Sequence, residues 1–316
     1  MPLAATSYNV PPEIAEAARR GRQQGQWIRA KCPYCDPEGR KAPSLAIGDR
    51  GWICHRGQCH KLQRDERARV ALQLQRIAGD DDAARHAKAL RIIEECGTVR
   101  KNCPVDLYLR SRRLVPVGAE WPADLRRHNH LWHGETKKEY VAMVAIVRDG
   151  SGMAVAVHRT YLLQDGRRAD DKTVDAKLRV SNAKLSLGTL AGGHSVQLGH
   201  DVSADTIGIG EGLESTLALR MKLQLPCLSG LSANGLASIK IPKDVRRVII
   251  GPDLGDTDMV GYKAAFALRK RIEQESSVGL RRTSVEIMAP PLRENKGDWA
   301  DWAEEQYRIE EQHRRI

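Results

Sequence analysis

Apolar positions along this 316-residue chain fall into four successive patterns. In QRDERARVALQLQRIAGDDDAARHAKALRIIEECGTV (63–99) they recur at helical spacing in a highly charged background: Val70, Leu72 and Leu74, then Ala89, Leu90, Ile92 and Ile93. This predicts two helices broken at AGDDD. In EYVAMVAIVRDGSGMAVAVHRTYLLQDG (139–166) two apolar runs flank RDGSG, the pattern of a β-hairpin. LSLGTLAGGHSVQLG (185–199) is Gly-rich and apolar, as short strands and turns are. From about 205 onward strand-like and helix-like segments alternate. TIGIGEGLESTLALRMK reads as strand, Gly-Glu-Gly turn and helix, and PCLSGLSANGL as a second strand and turn. RRVIIGPD is a third strand, GYKAAFALRKRIEQE a helix, TSVEIMAP a fourth strand and KGDWADWAEEQYRIEEQHRR a final helix. Such alternation predicts a parallel α/β sheet, whose ligands bind beyond the carboxyl ends of its strands. The chain as a whole is expected to be α/β, or α+β counting all parts. Its expected divisions are an N-terminal helical segment (1–27), a cysteine-bearing ribbon (28–63), a helical connector (64–100), a mixed α+β unit (101–203) and the parallel α/β unit (204–316).

A length of 316 residues suggests two or three domains, and 41% hydrophobic residues can fill their cores. No stretch approaches the roughly 18 uninterrupted apolar residues of a membrane span. The first residues lack a basic region followed by an apolar one, so no secretory signal is read and a cytoplasmic protein is expected. A formal charge of +11 favours a polyanionic partner, and nucleic acid ahead of a membrane surface because no long amphipathic anchor is present. No G-x4-G-K-[ST] phosphate loop occurs, which excludes a P-loop ATPase motor within this chain.

Four of the seven cysteines crowd into CPYCDPEGRKAPSLAIGDRGWICHRGQC: Cys32, Cys35, Cys54 and Cys59. Two close pairs separated by a hairpin-sized insert can set four thiolates around one structural Zn²⁺. Pro33 and Gly57 suit the tight knuckles, and SLAIGDRGWIC supplies two short apolar runs around a turn. His55 or His60 could replace a cysteine in the ligand set. Disulfides are the competing reading, and a cytosolic chain disfavours them. Cys96, Cys103 and Cys227 are scattered and read as ordinary thiols.

Acidic residues stand at three carboxyl ends of the expected parallel sheet: Glu211, the turn holding Asp253, Asp256 and Asp258, and Asp298 with Asp301. Carboxylates this close repel one another unless a cation sits among them, and Mg²⁺ is the oxygen-seeking ion such a turn suits. The competing reading is ordinary acids at helix N-termini, where carboxylates are favoured anyway.

The order GIGEGLESTLAL, VIIGPDLGDTDMVGYKAA, KGDWADWAEE resembles a Toprim domain, the metal-binding fold of bacterial-type primases, type IA and II topoisomerases and certain nucleases. With a zinc ribbon upstream, and with LYLRSRRL, AVHRTYL and AKLRVSNAKLSLGTLAGG between, the chain resembles the primases of bacteria, phages and plasmids over most of residues 28–305. The resemblance implies synthesis of short RNA primers on single-stranded DNA with Mg²⁺ or Mn²⁺, in the replication of a mobile element. It implies Glu211 as the catalytic glutamate and Asp298 as the last acidic position. Counting back from Gly261 matches Asp256 and Asp258 to the metal-binding D-x-D, whereas counting forward from the strand matches Asp253. It further implies that Arg110, Arg112, His158, Arg159, Lys177 and Arg179, with Arg113 and Lys184 nearby, face the acidic site and handle template and nucleoside triphosphate. A separately encoded replicative helicase is the implied partner. A Toprim nuclease and a non-catalytic single-stranded DNA-binding factor are the alternatives. Trp299, Trp302 and Tyr108 read as packing residues rather than base-stacking ones.

Overall fold

The apolar run of residues 140–147 is buried on both sides, and the strand that carries it organises the larger part of the molecule. The computed structural model describes residues 12–24, 27–34, 43–48, 51–54, 81–176, 178–190, 192–199, 204–254, 259–292 and 297–314. The chain divides into two units, Met1–Asp81 and Asp82–Ile316.

In the first unit, α1 (Pro12–Arg19) is followed by β1 (Arg22–Gln24), β2 (Trp27–Ala30), β3 (Leu45–Gly48) and β4 (Gly51–Cys54), an antiparallel sheet in the order β1-β2-β3-β4. The helical character expected through residue 27 thus stops at Arg19, and Arg22–Gln24 is strand. Gly21 makes that turn: its N–H donates to Ala18 O, and a Cβ there would collide with the Ile28 side chain. Ile14, Ala30, Cys32, Leu45 and Ile47 form the core of this unit.

The second unit opens with α2 (81–95), β5 (Gly97–Thr98) and α3 (Pro104–Ser111). A meander follows of β6 (Leu125–His133), β7 (Lys138–Arg148), β8 (Ala154–Leu162) and β9 (Lys184–Gly188), giving an all-antiparallel sheet ordered β5-β6-β7-β8-β9. The expected hairpin is β7–β8. As the central strand, β7 buries Tyr140, Ala142 and Val144 on one face and Met143, Ala145 and Val147 on the other. The first face packs against Ala89 and Ile92 of α2, so this half of the expected connector belongs to the core of the middle sheet.

The rest of the unit comprises β10 (Val196–Leu198), β11 (Thr206–Gly210), α4 (Leu213–Leu223), β12 (Cys227–Ser229), α5 (Ala233–Ser238), β13 (Arg247–Gly251), α6 (Val260–Ser277), β14 (Ser284–Ile287) and α7 (Trp299–Arg314). Its sheet is ordered β10-β12-β11-β13-β14; β12, β11, β13 and β14 run parallel, and β10 pairs antiparallel at the edge. One core on this sheet gathers Ile207, Ile209, Val248 and Ile250 with Leu268 and Ile272 of α6. Another joins Met143, Ala145 and Val147 of the middle sheet to Leu213 and Leu217 of α4 and Trp299 and Trp302 of α7. Both tryptophans are buried there, edge to face at 5.7 Å, as packing residues.

Candidate active site

In the parallel register Gly210 stands opposite Gly251, so the residues that follow β11 and β13 leave the sheet side by side. Glu211 follows β11, Asp253 follows β13, and Asp298 sits just before α7. Their charges meet at Asp253. Burial raises its pKa to about 7, and the negative charges of Asp298 and then Glu211 push in the same direction. The Ser215 hydroxyl donates to Oδ2 at 3.3 Å and the Trp299 backbone N–H also favours the charged carboxyl, but together they do not offset this. Asp253 Oδ1 is buried and accepts no hydrogen bond among the described residues. A buried carboxylate oxygen without a hydrogen bond is costly, and beside two further carboxylates the charged form is disfavoured.

The start of α6 closes over this turn. A Cβ on Gly261 would lie 2.6 Å from Asp253 O and 2.9 Å from Glu211 Oε2, so only glycine lets the helix approach so near. At α7, Asp298 Oδ1 accepts from Asp301 N (2.9 Å) and Asp301 Oδ2 accepts from Asp298 N (3.0 Å). This reciprocal cap explains Asp301, and accounts for one oxygen of Asp298. Among the described residues, no three His, Cys, Asp or Glu side chains are arranged to hold a metal ion as a group. Asp256 and Asp258 lie outside the described residues. Among the described residues of that turn, Asp253, the position reached by counting forward from the strand, lies near Glu211 and Asp298.

A second cluster stands at the first turn of α4, three residues beyond Glu211. Glu214 is buried, and its carboxylate accepts from Lys184 Nζ at 2.8 and 2.9 Å and from Tyr108 OH at 2.7 Å. Burial alone would raise the Glu214 pKa; the Lys184 charge and these hydrogen bonds outweigh it and hold the group at about 2. The same carboxylate, together with burial, pushes the Tyr108 hydroxyl well above its ordinary pKa. His158 feels Glu214 as well, but burial dominates and lowers its pKa to about 4, so the ring is neutral at pH 7. Arg168, held by Asp170 at 2.7 Å, and Arg112 add positive charge around Tyr108. Sequence reasoning passed over Glu214 and Arg168, because nothing local distinguishes a buried acid in the first turn of a helix from a solvated one.

The remaining basic residues scatter. Along β8, Ala156 and Leu162 face α4 and α7 while Val157 and Tyr161 face α2, so the two-residue strand period puts His158 on the first side and Arg159 on the second. Arg159 therefore does not share a face with His158, contrary to the sequence expectation. Arg110 is paired with buried Asp106 at 2.9 Å, a carboxylate that also accepts from Trp121 Nε1 and Asn102 N. Arg113 lies 3.9 Å over the Tyr307 ring. Arg179 is exposed on the loop between β8 and β9, and Lys177 lies outside the described residues.

Of the expected zinc ligands, Cys32 is buried and Cys54 half-buried with its Sγ 3.7 Å from Ser44 Oγ; Cys35 and Cys59 lie outside the described residues.

Residues 206–307 match the family model of the Toprim domain, and residues 83–198 match one described as a domain of unknown function (DUF7146). The C-terminal part of the chain is thus a Toprim domain, and Toprim domains as a class bind divalent cations such as Mg²⁺. No curated protein matches the chain. Solved structures similar to it include the primase fragment of the bacteriophage T7 primase-helicase protein, at 14% identity and TM-score 0.35, covering 55% of this chain and 62% of that one. Another is the Aquifex aeolicus primase, comprising its zinc-binding and RNA polymerase domains, at 14% identity and TM-score 0.40, covering 95% of this chain and 85% of that one. The E. coli primase catalytic core matches at 12% identity and TM-score 0.31, covering 55% and 52%. Likenesses at TM-scores this low carry no functional weight.

Proposed function

We propose that the chain is a DNA primase, which copies single-stranded DNA into short RNA primers by metal-dependent nucleotidyl transfer in the cytoplasm of its host, for a phage, plasmid or other mobile element. The observation that carries this reading is the meeting of Glu211, Asp253 and Asp298 at the carboxyl ends of the parallel strands in the Toprim region, with the unsatisfied Oδ1 of Asp253 among them. Glu211, Asp253 and Asp298, joined by Asp256 and Asp258 from the same turn, would hold Mg²⁺ or Mn²⁺. Bound there, such an ion supplies Lewis-acid stabilisation of the triphosphate and lowers the pKa of the attacking hydroxyl.

This chain's own residues have separable tasks. Ser215, by donating to Asp253 Oδ2, orients that carboxylate, and Gly261 lets α6 close over the turn. Lys184, Arg112 and Arg168 surround the Tyr108–Glu214 pair next to the acidic turn and offer positive charge to phosphates, while most of the rate comes from positioning. Neutral His158 can exchange a hydrogen bond with a substrate hydroxyl without adding charge. Cys32, Cys35, Cys54 and Cys59 would hold one structural Zn²⁺ in the first unit. A separately encoded replicative helicase is the proposed partner.

The test uses purified protein, labelled nucleoside triphosphates, Mg²⁺ or Mn²⁺ and single-stranded templates of varied sequence. Short RNA products are expected from the wild type and none from Glu211→Gln. Template cleavage in place of synthesis would establish a nuclease; template binding that yields neither product, with Glu211→Gln indistinguishable from the wild type, would leave only a binding factor.

A further inference from the structure

Burial fixes which way each residue of α6 points. Gly261, Ala264, Ala265, Leu268 and Ile272 are its buried residues, and all but Gly261 belong to the core on the Toprim sheet. At about 3.6 residues per turn the opposite face carries Tyr262, Lys263, Phe266 and Lys270, with Met259 just ahead of the helix in line with them. The solvent face of such a helix is ordinarily polar. Here Met259 is 52%, Val260 45% and Phe266 55% exposed, so the one phenylalanine of the chain stands in water instead of a core. The Tyr262 ring lies beside it, with centroids 6.2 Å apart and planes tilted by 34°. A lone exposed apolar side chain carries no meaning, whereas contiguous ones mark a contact surface.

The charges along this face are of one sign. From Met259 to Ile272 there is no acidic residue, while Lys263, Arg269, Lys270 and Arg271 are basic. Arg269 is paired with Glu273 at 2.7 Å and Arg271 with Glu275 at 3.2 Å. The ammonium groups of Lys263 and Lys270 have no partner among the described residues. Two exposed rings flanked by two unpaired ammonium groups match what a single nucleic-acid strand presents, bases to stack and phosphates to neutralise. A duplex keeps its base faces covered, and lysine is depleted where protein chains meet, so a strand fits this face better than either. The face also begins where the acidic turn ends. Gly261, on the buried side of α6, approaches Asp253 O and Glu211 Oε2, and Phe266 follows five residues later, about 7–8 Å along the axis, on the outer side. Exposed Val260 and Met259 lead round the start of the helix from one side to the other.

We propose that the outer face of α6 binds single-stranded DNA, with bases on Phe266 and Tyr262 and phosphates on Lys263 and Lys270, the strand passing round the start of the helix from the acidic turn. That the strand is DNA and reaches the acids rests on the function proposed above; the surface itself does not. Binding of the full chain to a labelled oligo(dT) is followed by fluorescence anisotropy in EDTA without nucleotides. Phe266→Ala weakens binding about tenfold; Phe266→Trp keeps it and Phe266→Leu does not, since stacking needs a π-face and not merely an apolar side chain. Lys270→Gln reduces the slope of log affinity against log salt by about 0.7, the share of one phosphate contact on a single strand. Affinity for a duplex of equal length is unchanged by Phe266→Ala. Unaltered oligo(dT) binding by folded Phe266→Ala or Phe266→Leu protein overturns the proposal, as does an equal loss for duplex. Sedimentation without DNA should show no self-association through this face; a dimer that Phe266→Ala dissociates would make it an interface between copies and overturn the proposal too. Tighter binding of oligo(U) overturns the assignment to DNA. If Phe266 governs binding but no primers are made, the proposed function falls and this surface stands. Primer synthesis together with unchanged Phe266→Ala binding gives the reverse result.

Discussion

Asp253 and Glu214 are both withdrawn from water, and their neighbours drive them to opposite charge states. Asp253 has carboxylates beside it and is held at about 7, above its ordinary 3.8; Glu214 has Lys184 and Tyr108 and is held at about 2, below its ordinary 4.5. The consequences for stability have opposite signs. For Asp253 the folded state binds the proton more tightly, so stability falls as pH rises from about 4 to about 7. Asp253→Asn should then stabilise the metal-free protein at pH 8, by on the order of 2–4 kcal/mol, and have little effect at pH 4. Thermal melts in EDTA at the two pH values check this, and Mg²⁺ should narrow the gap by stabilising the wild type more. A mutant melting at or below the wild type at pH 8 would mean that the acids do not repel in the folded state. For Glu214, the stabilisation is fully present above about pH 4.5 and is lost as pH falls through about 2. Glu214→Gln leaves the Lys184 charge half-buried without its partner and should cost roughly 3 kcal/mol at pH 7. Urea denaturation measures that loss, and Lys184→Met in the same background should recover part of it.

At the scale of elements, the site depends on how closely α6 can approach the ends of β11 and β13. Gly261→Ala forces the helix start away from Asp253 O and Glu211 Oε2. It should lower primer synthesis at least tenfold while costing only about 1–3 kcal/mol of stability, as overpacking does. Activity and melting temperature measured together separate a displaced helix from an unfolded one. Wild-type activity in this variant would show that α6 does not set the geometry of the acids. The cap at α7 acts differently: Asp301 holds the helix end, so its removal should cost about 1 kcal/mol.

Over the whole molecule, the sharing of one apolar core between the middle sheet and the Toprim sheet has a cooperative consequence. Met143, Ala145 and Val147 pack in the same cluster as Leu213, Leu217 and Trp299. A fragment beginning at Asp82 should therefore fold on its own and melt in a single calorimetric transition, although it contains two sheets. Two resolved transitions would mean that the sheets are energetically separate. If the first unit, with its own small core around Ile14 and Leu45, holds the proposed Zn²⁺, circular dichroism should show a chelator unfolding it while the fragment beginning at Asp82 is unaffected.

Much of this architecture was legible in the sequence because it is local. Strand–helix alternation after residue 205 depends on residues a few positions apart, and it already put Glu211, Asp253 and Asp298 beyond the carboxyl ends of an expected parallel sheet. The hairpin about RDGSG and the packing roles of Trp299, Trp302 and Tyr108 followed in the same way. Tertiary structure decided what depends on residues far apart in the chain. That Asp253 lies with Glu211 and Asp298 depends on the parallel register of β11 and β13 and on the close approach of Gly261 to both strand ends. Pairing among Tyr108, Lys184 and Glu214 spans 106 residues between its outer members and leaves no periodic trace. The sides of β8 taken by His158 and Arg159 depend on what packs on each face of the sheet, since a strand's two-residue period separates neighbours without saying which of them meets the acids. The sequence determined which side chains are available for chemistry; close packing at α4, α6 and β8 determined which of them share a site, because burial and charge act through space rather than along the backbone.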